Sequence, residues 1–120
     1  MPRRRRRHYQ RSQHVFASRA AITRFCHRWG ITRLQMFGSA LRDDFRPDSD
    51  IDMVATFEPD TQHTLLDLVR MERELGSLYG GRTIDLGEYD AVQNDHNDLR
   101  RESILNTLET IYEERRGESD

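Results

Sequence analysis

The chain has 120 residues, no lysine, and a formal net charge of -2, with 33% charged residues against 35% hydrophobic ones. That is enough apolar content for one compact domain built on a single sheet, and too little for two. No apolar run approaches a membrane span, and no charged start leads into an apolar leader, so a cytoplasmic protein is expected.

The charge is unevenly spread. The first acidic residue is Asp43, and every arginine from Arg3 to Arg42 lies before it. The N-terminal third is therefore strongly basic and the rest acidic. Residues 1–11 read as a solvated tail, and the domain is expected over 12–116. Arg3 to Arg7 form the one stretch suited to contact with nucleic acid. No aromatic ladder is interleaved with them, so a single-strand groove is not indicated. The lone cysteine, Cys26, reads as a small buried thiol, which fits a reducing compartment.

The elements follow in chain order. Val15, Phe16, Ile22, Phe25 and Trp29 recur at helical spacing, which predicts a helix from Ser12, its N-cap, to Trp29, stopped by Gly30. Thr32 to Phe37 is the first strand. A short helix or turn over Ala40 to Asp44 comes next, then a loop with Pro47, which biases its predecessor toward extended backbone. Asp50 to Phe57 is the second strand. Thr61 to about Tyr79 is a helix with Leu65, Leu68, Val69, Leu75 and Leu78 as its stripe, ended by Gly80 and Gly81. Arg82 to about Leu86 is a third strand, with a fourth suspected near Glu88 to Val92. A last helix is expected from about Asn97 to Glu114, striped by Leu99, Ile104, Leu108 and Ile111. This order predicts a small α/β (α+β) domain, a mixed sheet with helices on one face.

Two strands carry acids inside apolar runs. On a strand, residues two apart share a face, so Asp50 and Asp52 project together with Cα atoms roughly 6–7 Å apart. Two such carboxylates repel unless a cation joins them. Oxygen-only ligands suit Mg²⁺ or Mn²⁺, and the five histidines show no zinc spacing. Asp85 lies between Ile84 and Leu86 and would join the pair if its strand neighbours theirs in register. Three carboxylates are what a two-metal phosphoryl site needs. Upstream, Gly38-Ser39 sits where a strand turns toward a helix. Glycine admits close approach, and such turns cradle phosphate oxygens. A lone Gly-Ser or a lone Asp-x-Asp is common in loops and strand caps; the joint spacing is the specific signal.

Gly38-Ser39, ten residues, then Asp50-Ile51-Asp52 and the later Asp85 resemble the signature of the polymerase-beta-like nucleotidyltransferase superfamily. The similarity is to its minimal members and covers about Arg33 to Tyr112, including "PDSDIDMV" from Pro47. The family often has Ala-Arg-Gly after the Gly-Ser turn. Here the segment is Ala40-Leu41-Arg42-Asp43, so Arg42 matches the basic position and Asp43 replaces the glycine.

The resemblance implies a polymerase-beta-like fold and an antitoxin of a HEPN/MNT toxin–antitoxin pair. Such an enzyme transfers AMP from ATP to a tyrosine hydroxyl of its HEPN RNase toxin. It further implies that Asp50, Asp52 and Asp85 are catalytic and hold two Mg²⁺ ions, or Mn²⁺. Gly38, Ser39 and Arg42 would bind the nucleotide. The alternative is an antitoxin that neutralises its partner by binding and occlusion alone.

Overall fold

The computed structural model describes residues 17–38 and 50–114. Helix α1 spans Arg19–Trp29, strand β1 Ile31–Phe37 and strand β2 Ile51–Phe57. Helix α2 spans Leu65–Leu78, β3 Ile84–Glu88, α3 Tyr89–Gln93, α4 Asp98–Asn106 and β4 Glu109–Glu113. The sheet order is β3-β2-β1-β4. β1 runs antiparallel to β2 and β4, while β2 and β3 are parallel. The mixed α/β architecture is the one the sequence predicts.

Helix α1 starts later than the periodicity suggests. Ser18, not Ser12, caps it, accepting a hydrogen bond from the Ala21 N–H at 3.3 Å. Its ψ of 130° takes the chain out of helical geometry there. Ser12, Val15 and Phe16 lie outside the described residues. Ile22, Phe25 and Cys26 form the buried stripe, with i, i+3, i+4 spacing. The Trp29 indole N–H donates to Glu74 Oε1 at 3.0 Å, and Arg28 pairs with the same carboxylate, tying α1 to α2.

Helix α2 opens with a capping box. Thr64 Oγ1 accepts from the Asp67 N–H, and the Asp67 carboxylate accepts from the Thr64 N–H, both at 3.1 Å. Its buried side is Met71 and Leu75, with Leu68 and Leu78 partly buried. Leu65 and Val69, expected in that stripe, are instead exposed, at 79% and 39%. The inward face is turned so that the 68-71-75-78 row meets the sheet. Gly76 permits this approach: a Cβ there would lie 2.4 Å from the Arg82 carbonyl oxygen.

Both long helices cover one face of the sheet. Ile31, Leu34 and Met36 of β1, Ile51, Met53 and Ala55 of β2, and Ile84 and Leu86 of β3 pack there with Phe25, Met71 and Leu75. A bulge in β1 shifts the register between Ile31 and Arg33. It lets Ile31 and Leu34, three apart, share the core side. The backbone N–H of Leu86 donates to Glu72 Oε2 of α2 at 2.8 Å, so a side chain covers part of the β3 edge.

The C-terminal region corrects the sequence reading. The helix expected from Asn97 to Glu114 ends at Asn106, and Glu109–Glu113 is the fourth strand, beside β1. Thr110, Ile111 and Tyr112 favour extended backbone, and pairing with β1 satisfies it along one edge. A register shift in the pairing lets consecutive Ile111 and Tyr112 both enter the core. The strand suspected near Glu88 to Val92 is the short helix α3. Leu99, placed in the apolar stripe of α4, is 82% exposed.

Phe25 is fully buried at the centre of this packing. Phe25→Ala should lower the unfolding free energy by about 3–5 kcal/mol in urea titrations, whereas Leu99→Ala should change it by no more than about 0.5 kcal/mol. Burial pushes the Cys26 thiol up to about 12 from 9.0. The unfolded thiol ionises first, so the contribution of this group is complete below pH 9 and falls away as pH rises toward 12. Iodoacetamide at pH 8 should label Cys26 only on unfolding, as read by mass spectrometry.

Candidate active site

The face away from α1 and α2 carries the candidate site residues. Strand alternation puts Asp52, Val54 and Thr56 of β2 there, opposite to Met53 and Ala55 in the core. Three rows cross the sheet. Phe37, Asp52 and Asp85 are in register across β1, β2 and β3. Gln35, Val54 and Gly87 form the next row, and Arg33 faces Thr56 in the third.

The condition the sequence left open is therefore met by the backbone. Asp52 and Asp85 are direct partners on adjacent parallel strands, about 4.8 Å apart at Cα, with side chains on one face. Asp50 precedes β2 by one residue and shares the parity of Asp52. The Ile51 N–H donates to the Thr83 carbonyl at 2.9 Å, holding this end of β2 against the approach to β3. Asp52 is half-buried, while Asp50 and Asp85 are exposed.

Gly38 follows the Phe37 end of the first row. Its φ is +81°, and a Cβ built on it would stand 2.7 Å from Asp52 Oδ2. The glycine is required twice, once by its left-handed backbone and once by the carboxylate against it. Ser39 and Arg42, and the turn expected over Ala40 to Asp44, lie outside the described residues.

The donor types fit a hard divalent cation: carboxylates carried on one face of two adjacent strands, beside a glycine. As the side chains stand, the described residues contain no group of three or more His, Cys, Asp or Glu drawn together to hold a metal ion. What the fold supplies is the register and the common face.

Gln35 escaped the sequence reading. It is 9% exposed, next to the carboxylate row on the same face, and its Oε1 is buried with no hydrogen-bond partner among the described residues. Its Nε2 donates to Thr110 Oγ1 of β4 at 3.3 Å. A glutamine inside "LQMF" was the available signal, the same kind of polar interruption that marked the aspartates.

Residues 18–111 match the model of the nucleotidyltransferase domain family. The chain belongs to that family. Among solved structures, it is 34% identical to a protein assigned as a minimal nucleotidyltransferase, at a TM-score of 0.55, over 75% of this chain and 85% of that one. A toxin–antitoxin structure with AMP-PNP aligns at 12% identity and a TM-score of 0.60, covering 85% of this chain and 78% of the other. The toxin–antitoxin MntA-HpeT, carrying two aspartate-to-glutamate substitutions, aligns at 10% identity and a TM-score of 0.58, with the same coverage. At those identities the two toxin–antitoxin structures share the fold. No curated protein matches the chain. The nucleotidyltransferase reading of the Gly-Ser and Asp-x-Asp pattern is thus upheld at the level of family and fold.

Gly38→Ala in this nucleotidyltransferase domain combines a strained φ with a clash against Asp52. It should cost about 2–3 kcal/mol in denaturant titrations, of which roughly 1–2 kcal/mol is the left-handed backbone. Gly80 has φ +74° and open space around its Cβ position. Gly80→Ala should show the backbone cost alone, so equal losses at the two sites would remove the Asp52 contact from the account.

Proposed function

We propose that the chain is an antitoxin nucleotidyltransferase that transfers AMP from ATP to a tyrosine hydroxyl of a cognate HEPN RNase toxin and so neutralises it. The observation that carries the reading is the in-register placement of Asp52 beside Asp85, with Gly38 pressed against the Asp52 carboxylate. Membership of the nucleotidyltransferase family supports group transfer. The partner and the nucleotide are supported by the structural neighbours, one a toxin–antitoxin bound to AMP-PNP. The other neighbour was substituted at two aspartates spaced two residues apart, the spacing of Asp50 and Asp52. A cytoplasmic location accords with this reading; no helix among the described residues is long and apolar enough to cross a membrane.

Asp50, Asp52 and Asp85 would hold two divalent ions, Mg²⁺ or Mn²⁺. When bound, these ions supply positive charge to the phosphates and to the developing charge of the reaction. Gly38 leaves its backbone open to the outer phosphates, with Ser39 and Arg42 adding a hydroxyl and a guanidinium. The tyrosine oxygen forms a bond to the α-phosphorus of ATP. The bond from that phosphorus to the bridging oxygen breaks, and pyrophosphate leaves with its electron pair. Asp85, exposed at the rim of the row, receives the hydroxyl proton. The protein's part is to align nucleophile and leaving group, which is where most rate enhancement in phosphoryl transfer arises.

The test uses ATP labelled at the α- or the γ-phosphate, incubated with the protein, Mg²⁺ and the co-expressed partner. Transfer of α-label to a protein band, lost in Asp50→Ala plus Asp52→Ala, is the expected result. γ-Label alone would make it a kinase. Capture of the partner without label would favour neutralisation by occlusion, the reading to which Asp43 and Asp44 beside the Gly-Ser turn would then point.

A further inference from the structure

The outer face of the sheet holds one residue that the fold itself does not account for. Of the described glycines, four have a positive φ, and Gly76 makes room for the Arg82 carbonyl. Gly87 does neither. Its φ is not positive, and a Cβ built on it meets no described atom within 4 Å. The β2–β3 register runs unbroken from Ile51 with Ile84 to Ala55 with Glu88, so no bulge calls for a glycine either. A glycine inside a strand weakens it. With backbone, bulge and packing set aside, it marks the close approach of something outside the fold.

Gly87 sits where such an approach matters. It lies two residues from Asp85 on the same strand and face, with Cα atoms roughly 6–7 Å apart. The rest of its row across the sheet is closed: Gln35 is 9% exposed and Val54 1%, whereas Gly87 is half-buried. On the side away from the carboxylates, the Tyr89 ring centroid is 5.1 Å from the guanidinium of Arg33, in the third row. What remains is a notch on the edge strand β3, floored by the Gly87 backbone and set between Asp85 and Tyr89.

The position of the notch limits what enters it, and here the argument rests on the reaction proposed above. There the outer phosphates lie toward Gly38, at the β1 end of the row Phe37, Asp52 and Asp85. An in-line displacement puts the attacking oxygen on the opposite side of phosphorus from the leaving one. That side is the β3 end, where Asp85 stands. A flat ring laid against a bare peptide, with a hydroxyl reaching back to Asp85, is what a phenol supplies.

We propose that Gly87 is a specificity-determining residue of the acceptor site, its missing side chain seating the ring of the acceptor tyrosine with the hydroxyl toward Asp85. An aliphatic hydroxyl acceptor would leave the notch empty, and the nucleobase lies elsewhere.

The experiment is an amide ¹H–¹⁵N NMR titration of the full-length protein, with Mg²⁺ and AMP-PNP present, using N-acetyltyrosinamide as the probe. Saturable shifts of Asp85, Gly87 and Tyr89, absent with N-acetylserinamide, are expected. Gly87→Val fills the notch and should weaken binding of the tyrosine probe roughly tenfold or more. Its urea midpoint should not fall, since valine suits a strand better than glycine. Gly87→Ala should give a smaller loss of the same kind. In the α-label assay, Gly87→Val should raise the KM for the acceptor and leave the KM for ATP unchanged. Shifts of Gly87 with AMP-PNP alone would give the notch to the nucleobase and overturn the proposal. So would a tyrosine probe that leaves Gly87 unmoved, or that Gly87→Val binds as well as the wild type. Absence of α-label transfer by the wild type refutes the reaction instead, and the titration still decides the notch.

Discussion

The parallel register of β2 and β3 is the constraint on which the site depends. Side chains alternate along a strand, so a slip of one residue would send Asp85 into the core and Leu86 to the surface. The apolar partners Ile51 with Ile84 and Met53 with Leu86 forbid that slip. Burial of these four residues thus places the two aspartates between them. The packing energy of one face fixes the side-chain placement on the other, without any direct bond between carboxylates being needed.

Helix α2 reinforces this from behind. It is the crossover between the parallel strands, and its closeness to β3 depends on Gly76, where the Arg82 carbonyl occupies the place of a side chain. Trp29 and Arg28 then pin α2 to α1 through Glu74. The inner layer is a chain of close contacts from α1 through α2 to β3.

Much of this was legible because the signals were local or strictly spaced. Acids inside apolar strand runs gave Asp52 and Asp85, and the motif spacing gave the family. The in-register meeting of the two strands was stated as a condition, since register is a long-range property. The C-terminal strand was not legible. Leu99, Ile104, Leu108 and Ile111 mimic helical spacing, and only pairing with β1 tells Glu109–Glu113 to extend. The stripe of α2 was partly misread for a related reason: Leu65 and Leu66 at its start sit beyond the reach of the sheet, at 79% and 57% exposure. Gln35 passed unnoticed because a single amide in a strand has many uses, and its unmatched oxygen becomes visible only beside the aspartates.

The sheet divides labour between its faces. Phe25, Met71, Leu75 and their strand partners make the core, while Asp50, Asp52 and Asp85 take no part in it. The residues that make the fold and those of the candidate site are therefore different sets. Replacing an acid on the outer face removes nothing from the packed layer, so the same helices and the same register are kept.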